Sequence, residues 1–199
     1  MVKALARATP VLYVVAGQSN AVAPAGGATT FAFKTFDPLG IKYRIRATGG
    51  TPWISVTSSV LDLMELASTP DDVDDYATQA LETRLILCGG SSDVWENDLG
   101  ETVYENMVTY AEARRDAGYA KVIAMTIPPN SVNAGLQENF RQDANAAIIG
   151  DAAGAWNAVA NLTTSVFLED WEQSTYDGIH WHEEATDEVA ALLTAVLPP

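Results

Sequence analysis

Val11-Leu12-Tyr13-Val14-Val15-Ala16-Gly17-Gln18-Ser19-Asn20 is the stretch on which the reading of this chain turns. An unbroken apolar run that ends in glycine reads as a strand buried on both faces, because a strand with one wet face alternates instead. The polar turn Gly17-Gln18-Ser19-Asn20 follows it directly. Outward from here the pattern repeats. Residues 41–46 alternate, with Ile41, Tyr43 and Ile45 on one side, and end near Gly49-Gly50. Residues 83–88 run to Gly89-Gly90, residues 120–127 to Pro128-Pro129, and residues 165–168 make a shorter fifth run.

Helical spacing fills the intervals. Residues 58–67 form a short candidate. Residues 101–117 place Val103, Met107, Tyr110 and Ala111 on one stripe, and Gly118 stands where a helix stops. Residues 136–159 are Ala-rich, with Phe140, Ala144, Ala147, Ile148 and Ala155 in register, interrupted by Gly150 and Gly154. Residues 183–197 carry Ala185, Val189, Leu192, Leu193 and Val196, and Pro198 ends them. Strands alternating with helices predict an α/β three-layer sandwich around a mostly parallel sheet, as one domain over residues 1–199.

The 199 residues include 48% hydrophobic and 19% charged, which is globular composition. Lys plus Arg number 11 against 26 Asp plus Glu, a formal charge of −15. Such a surface repels phosphate backbones and anionic headgroups, so neither nucleic acid nor membrane is expected as a partner. No apolar run approaches the roughly 20 residues that span a bilayer. Cys88, the single cysteine, has no partner for an internal disulfide and reads as a small buried hydrophobe in a strand. Lys3, Arg7, the apolar run and Ala21-Val22-Ala23 have the outline of a secretory signal. Pro10 and the shortness of the run speak against it, and cleavage after Ala23 would discard the Ser19 turn. The chain is therefore read as mature, which fits a cytoplasmic bacterial protein or a phage-encoded one.

In parallel sheets functional groups gather at the carboxyl ends of strands. Ser19 sits on such a turn, its hydroxyl beside backbone N–H groups able to hold an oxyanion. Late in the chain comes Asp177-Gly178-Ile179-His180. Acyl transfer from a serine needs a base that titrates near neutrality, which His180 supplies, and an acceptor that holds its ring in one tautomer, which Asp177 supplies.

The serine turn at the first strand, followed by Asp-x-x-His before the last helix, resembles the SGNH (GDSL-like) hydrolase family. The form Gly-Gln-Ser-Asn is similar to its sialate O-acetylesterase and carbohydrate-esterase branch. The resemblance runs from Val11 to about Leu197 and implies a flavodoxin-like three-layer fold. It also implies Ser19 as nucleophile, Asp177 and His180 as its triad partners, and no cofactor. For the oxyanion hole it implies the Ser19 N–H and a glycine N–H after the second strand, where Gly50 fits and Gly49 is its rival. The family's third block, Gly-x-Asn-Asp, reads Gly90-Ser91-Ser92-Asp93 here, so Ser92 holds the position of the Asn. A hydroxyl reaches less far than an amide, and losing such a donor typically costs about 10²–10³ in rate. Either Ser92 stands in, or Asn97 reaches the site, or turnover is slow.

Trp53, Trp95 and Trp181 each follow one of these blocks and, with Gln18, are the candidate substrate-binding residues, since sugar rings stack on indoles. Other patterns carry less. His180-x-His182 lacks companion metal ligands, and His182 reads as an exposed residue opening the last helix. The acidic residues 71–75 lack calcium-loop spacing. Gly26-Gly27 has no phosphate-loop Lys-Ser/Thr, so neither metal nor nucleotide is expected. The expectation is a serine esterase acting on an acylated carbohydrate or other small ester, most simply an acetyl ester. The alternatives are a lipase or thioesterase of the same family and a non-catalytic carbohydrate-binding module, which the Ser92 departure favours and the joint presence of Ser19, Asp177 and His180 opposes.

Overall fold

The computed structural model describes residues 11–21, 30–47, 49–50, 53, 77, 80–96, 99–132 and 135–199. The helix expected at 58–67, the acidic run 71–75, Gly26-Gly27 and Asn97 lie outside the described residues. Five strands, β1 (Val11–Gly17), β2 (Lys42–Ala47), β3 (Glu82–Cys88), β4 (Lys121–Met125) and β5 (Ala158–Ala160), pair in parallel in the order β2-β1-β3-β4-β5. From β1 the chain goes outward to β2 and then returns past β1 to β3. That reversal opens a crevice at the carboxyl ends of β1 and β3, where ligands bind in sheets of this topology.

Strand periodicity sorts the core into two layers. Leu12, Val14, Ala16, Leu85, Leu87, Val122 and Ala124 face α3 (Gly100–Ala117) and α4 (Leu136–Gly150). Tyr13, Val15, Ile86, Cys88, Ile123 and Met125 face α1 (Phe31–Phe36) and α6 (Glu183–Val196). Both faces of β1 are covered, which is why its sequence is apolar without a break. At the sheet edge β2 keeps its alternation: Tyr43 and Ile45 pack on the second layer while Lys42 and Arg44 are exposed. The stripe Val103, Met107, Tyr110 and Ala111 is fully buried, as its spacing predicts. In α6 the residues Ala185, Val189 and Leu193 are likewise buried.

Two expectations are corrected. The helix read over 136–159 stops at Gly150, because Asp151 turns left-handed (φ 39°) and its carboxylate accepts the N–H groups of Ala155 (2.7 Å) and Trp156 (3.3 Å). The chain then rejoins the sheet: Asn157 N–H donates to Val122 O (2.7 Å), and Ala158–Ala160 becomes the fifth strand. Residues 165–168 are instead a turn, in which the Glu169 N–H bonds to Ser165 O (3.1 Å) and only Leu168 is fully buried among the apolar side chains. Ala-Val-Ala is too short and too Ala-rich to oppose the helical period beside it. Two short helices, α2 (Ser91–Trp95) and α5 (Trp171–Ser174), complete the connections at the site. Among the described residues no helix is long and apolar enough to cross a membrane.

Candidate active site

The crevice begins at Gly17, whose backbone lies so close to β3 that any Cβ would collide with the Cys88 carbonyl. The next N–H, from Gln18, donates to Cys88 O (3.0 Å), and Ser19 then opens a single 3₁₀ turn, Ser19–Ala21. Gln18 points inward. Its Nε2 donates to Asp93 Oδ2 (3.1 Å), its Oε1 accepts the Ser92 N–H (3.2 Å), and Asp93 Oδ1 accepts the Trp53 N–H (2.9 Å). One buried carboxylate thus ties together the segments that follow β1, β2 and β3. Burying these polar groups without such partners would cost about 1–3 kcal/mol each.

Opposite Ser19 lies the loop after α5. Thr175 and Trp181 form an antiparallel bridge, Tyr176 N–H donates to His180 O (3.0 Å), and Asp177-Gly178 makes the tip. Gly178 has φ 86°, and a Cβ there would lie 2.5 Å from Ser131 Oγ. The tip is pinned by Ser131 N–H donating to Gly178 O (2.7 Å). Within it Asp177 Oδ1 accepts the N–H groups of Ile179 (2.9 Å) and His180 (2.7 Å), while Oδ2 meets His180 Nδ1 at 2.6 Å. Desolvation pushes the Asp177 carboxyl up, but the hydrogen bonds from the His180 ring and the two N–H groups outweigh it and hold it below the usual carboxylate range. An ionised Asp177 can only accept, so Nδ1 keeps its hydrogen and donates it to Oδ2, which leaves Nε2 as the basic nitrogen.

Ser19 and His180 line one cleft of about 420 Å³, a size usual for a small-molecule site. Asn20 ties its two sides: the amide donates to Ile179 O (3.3 Å) and accepts the Trp181 N–H (3.4 Å), bracketing His180. Gly49, Gly50 and Ser92 also line this cleft, and a Cβ on Gly49 would stand 3.5 Å from Ser19 Cβ.

No protein-family model matches the sequence, and no curated protein matches it either. Solved structures do match. A lipolytic G-D-S-L family protein from Veillonella parvula superposes with a TM-score of 0.70 at 14% identity, over 93% of this chain and 97% of that one. A lipase/acylhydrolase from Enterococcus faecalis gives 0.63 at 12% identity, over 95% and 98%. A carbohydrate esterase family 3 protein from Talaromyces cellulolyticus gives 0.64 at 13% identity, over 93% and 95%. The fold is that of the SGNH (GDSL) hydrolases.

On this SGNH fold the expected site residues separate. Ser19, Gly50, Ser92, Asp177 and His180 come together at the switch point, all but Asp177 lining the cleft directly. Trp95, 56% exposed, presents a face to the cleft. Trp181 reaches the same cleft but is only 2% exposed and packs edge-on to Phe31. Trp53 is corrected: it is 0% exposed and lies between Tyr110 and Gly89, so no sugar ring stacks on it. Gln18 lines the cleft too, and with both ends of its amide engaged by Asp93 and Ser92 it also positions the cleft wall. His182 is half-buried; it caps α6 by accepting the Ala185 N–H at Nδ1, and its Nε2 faces Gln173 O. Cys88 also borders the cleft, its thiol pushed up to about 12 by burial, so it remains a thiol at neutral pH.

Sequence reasoning missed Asn20 as a clamp, Asp93 as the buried tie and Asn130, which follows Pro129 and borders the cleft. The Asp in the third block and the Asn in the first were visible as letters, but nothing in their spacing told which way their side chains turn.

Proposed function

We propose that this chain is a serine ester hydrolase in which Ser19 is the nucleophile, His180 the general base and acid, and Asp177 the residue that orients it. The observation carrying this reading is the 2.6 Å contact between Asp177 Oδ2 and His180 Nδ1, with the other ring nitrogen left for a cleft that Ser19 shares. His180 Nε2 takes the Ser19 proton as the oxygen attacks the ester carbonyl, and the imidazolium formed is stabilised by Asp177. The N–H groups of Ser19 and Gly50, with the Ser92 hydroxyl, receive the oxyanion. His180 then protonates the departing alcohol, and water repeats the cycle on the acyl-enzyme. The names of the similar solved structures, lipolytic proteins and an esterase, support ester hydrolysis.

The substrate proposed is an O-acetyl ester of a carbohydrate. Trp95 offers an open indole face at the cleft, and the Gly-Gln-Ser-Asn turn resembles that branch of the family. A second reading has its own observation: Pro128, Val132 and Ile179 give the cleft largely apolar walls, which suit a longer acyl chain. Hydrolysis of p-nitrophenyl acetate and p-nitrophenyl octanoate by wild type and Ser19→Ala separates these. Acetate turnover that falls by about 10⁴-fold or more in Ser19→Ala is the expected result. Preference for octanoate transfers the proposal to lipids. Equal silence of both proteins on both esters moves it to a non-catalytic binding module.

A further inference from the structure

Beyond Asn130, which borders both, the cleft has a neighbour: a recess of about 210 Å³ lined by Glu138, Arg141, Glu169 and Trp171. Its floor is unusual in how completely its cation is used. Arg141 is 2% exposed, and each of its five N–H groups has an acceptor. Nε donates to Glu138 Oε2 (2.7 Å), Nη1 to Ile127 O (2.9 Å) and Glu169 Oε1 (3.1 Å), and Nη2 to Glu138 Oε1 (2.6 Å) and Glu169 Oε2 (2.9 Å). Burial works against the charge on Glu138, but hydrogen bonds from Arg141 and Gln142 outweigh it and hold that carboxyl below its usual range.

Two carboxylates on one saturated guanidinium leave the recess with acceptor lone pairs, no spare guanidinium donor and a net negative charge. A phosphate or carboxylate ligand finds repulsion there. A ligand that brings its own hydroxyl donors finds acceptors, since both carboxylates are only part-buried. The half-buried Trp171 adds an aromatic wall, and it stands against the triad loop: a Cβ on Gly178 would lie 3.6 Å from Trp171 Cζ3. The recess therefore adjoins the reaction cleft at Asn130 and lies beside the Asp177–His180 loop.

We infer that this recess is a subsite for a neutral sugar ring one unit removed from the esterified one, with Glu138 and Glu169 accepting from its hydroxyls and Trp171 stacking on it. This rests on the carbohydrate-ester reading above, and its test is arranged to fail separately. Binding is measured by titration calorimetry on the full Ser19→Ala chain with xylotriose and with an otherwise similar trisaccharide bearing a uronate. Xylotriose is expected to bind, the uronate sugar to bind at least tenfold more weakly, and Trp171→Ala to weaken xylotriose by roughly tenfold. Glu138→Gln, which removes one of the two carboxylate charges at the recess, is expected to narrow the gap between the two sugars. Xylotriose binding untouched by Trp171→Ala, with the uronate gap unchanged in Glu138→Gln, overturns the inference; so does the absence of xylotriose binding in a protein whose wild type hydrolyses p-nitrophenyl acetate. Absence of p-nitrophenyl acetate hydrolysis in the wild type instead strikes the esterase reading itself.

Discussion

Asp93 and Asp177 stand at the same edge of the sheet and are held in opposite ways. Asp93 is 0% exposed and receives the Gln18 amide and the Trp53 N–H, joining three segments of chain. The Asp177 side chain is 37% exposed and receives two N–H groups of its own loop and the ring of His180. A carboxylate surrounded by fixed neutral donors ties segments together; a carboxylate beside an imidazole at the solvent edge is placed to orient that ring, the role proposed above for Asp177. On the proposed function, chemistry and architecture are divided between two residues of the same type, and substituting them should give opposite signatures.

The largest expected effect is at Asp177. Asp177→Asn keeps the shape but favours the wrong imidazole tautomer, so kcat on p-nitrophenyl acetate should fall by about 10³–10⁴ while the urea midpoint moves little. A large stability loss would break the comparison, because Asp177 would then be structural as well. Asp93→Ala should do the reverse. It strips acceptors from two buried donors and should cost about 2–4 kcal/mol in urea unfolding. An unchanged midpoint would mean that the tie between the segments is incidental.

Ser92 stands between these regions, with its N–H tied to Gln18 and its side chain at the cleft. Ser92→Ala should lower kcat roughly tenfold at constant stability, less than loss of an amide donor usually costs. No change in kcat would remove the hydroxyl from the oxyanion hole. The smallest effect is in pH dependence. The folded pKa of Asp177 is depressed, so its contribution to stability is complete above the ordinary carboxylate pKa and is lost as pH falls through the lower folded value. The small stability gap between wild type and Asp177→Asn at neutral pH should therefore close in acid. A gap that widens as pH falls would contradict the hydrogen bonds that lower it.

Much of this was legible because it depends on short-range pattern. The apolar run 11–16 announced a central strand, and Val103, Met107, Tyr110 and Ala111 announced a helix face, since burial on a periodic element imposes a period on the letters. Asp177 and His180 were legible for the same reason: a three-residue spacing lets one tight loop bring them together. Illegible were features set by contact across the fold. Trp53 looked like a sugar platform until Tyr110 and Gly89 were seen to enclose it. Nor could the letters show that Asp93, 75 residues away, takes the amide of Gln18 at the cleft wall. β5 was hidden because its strand character comes from pairing with β4, not from its three residues.

The sequence by itself determined the alternation of strands and helices, the buried stripes, and the types of group available for acyl transfer, all of which follow from local spacing and side-chain chemistry. Only the tertiary structure decided that Ser19 and His180 share a cleft, that Asn20 brackets His180, and that Glu138 and Glu169 close on Arg141 beside it. Strand order and chain crossing set those meetings. A hydrogen bond between residues far apart in the chain leaves no periodic mark on either side, so its direction is fixed only when the sheet brings both ends to the same edge.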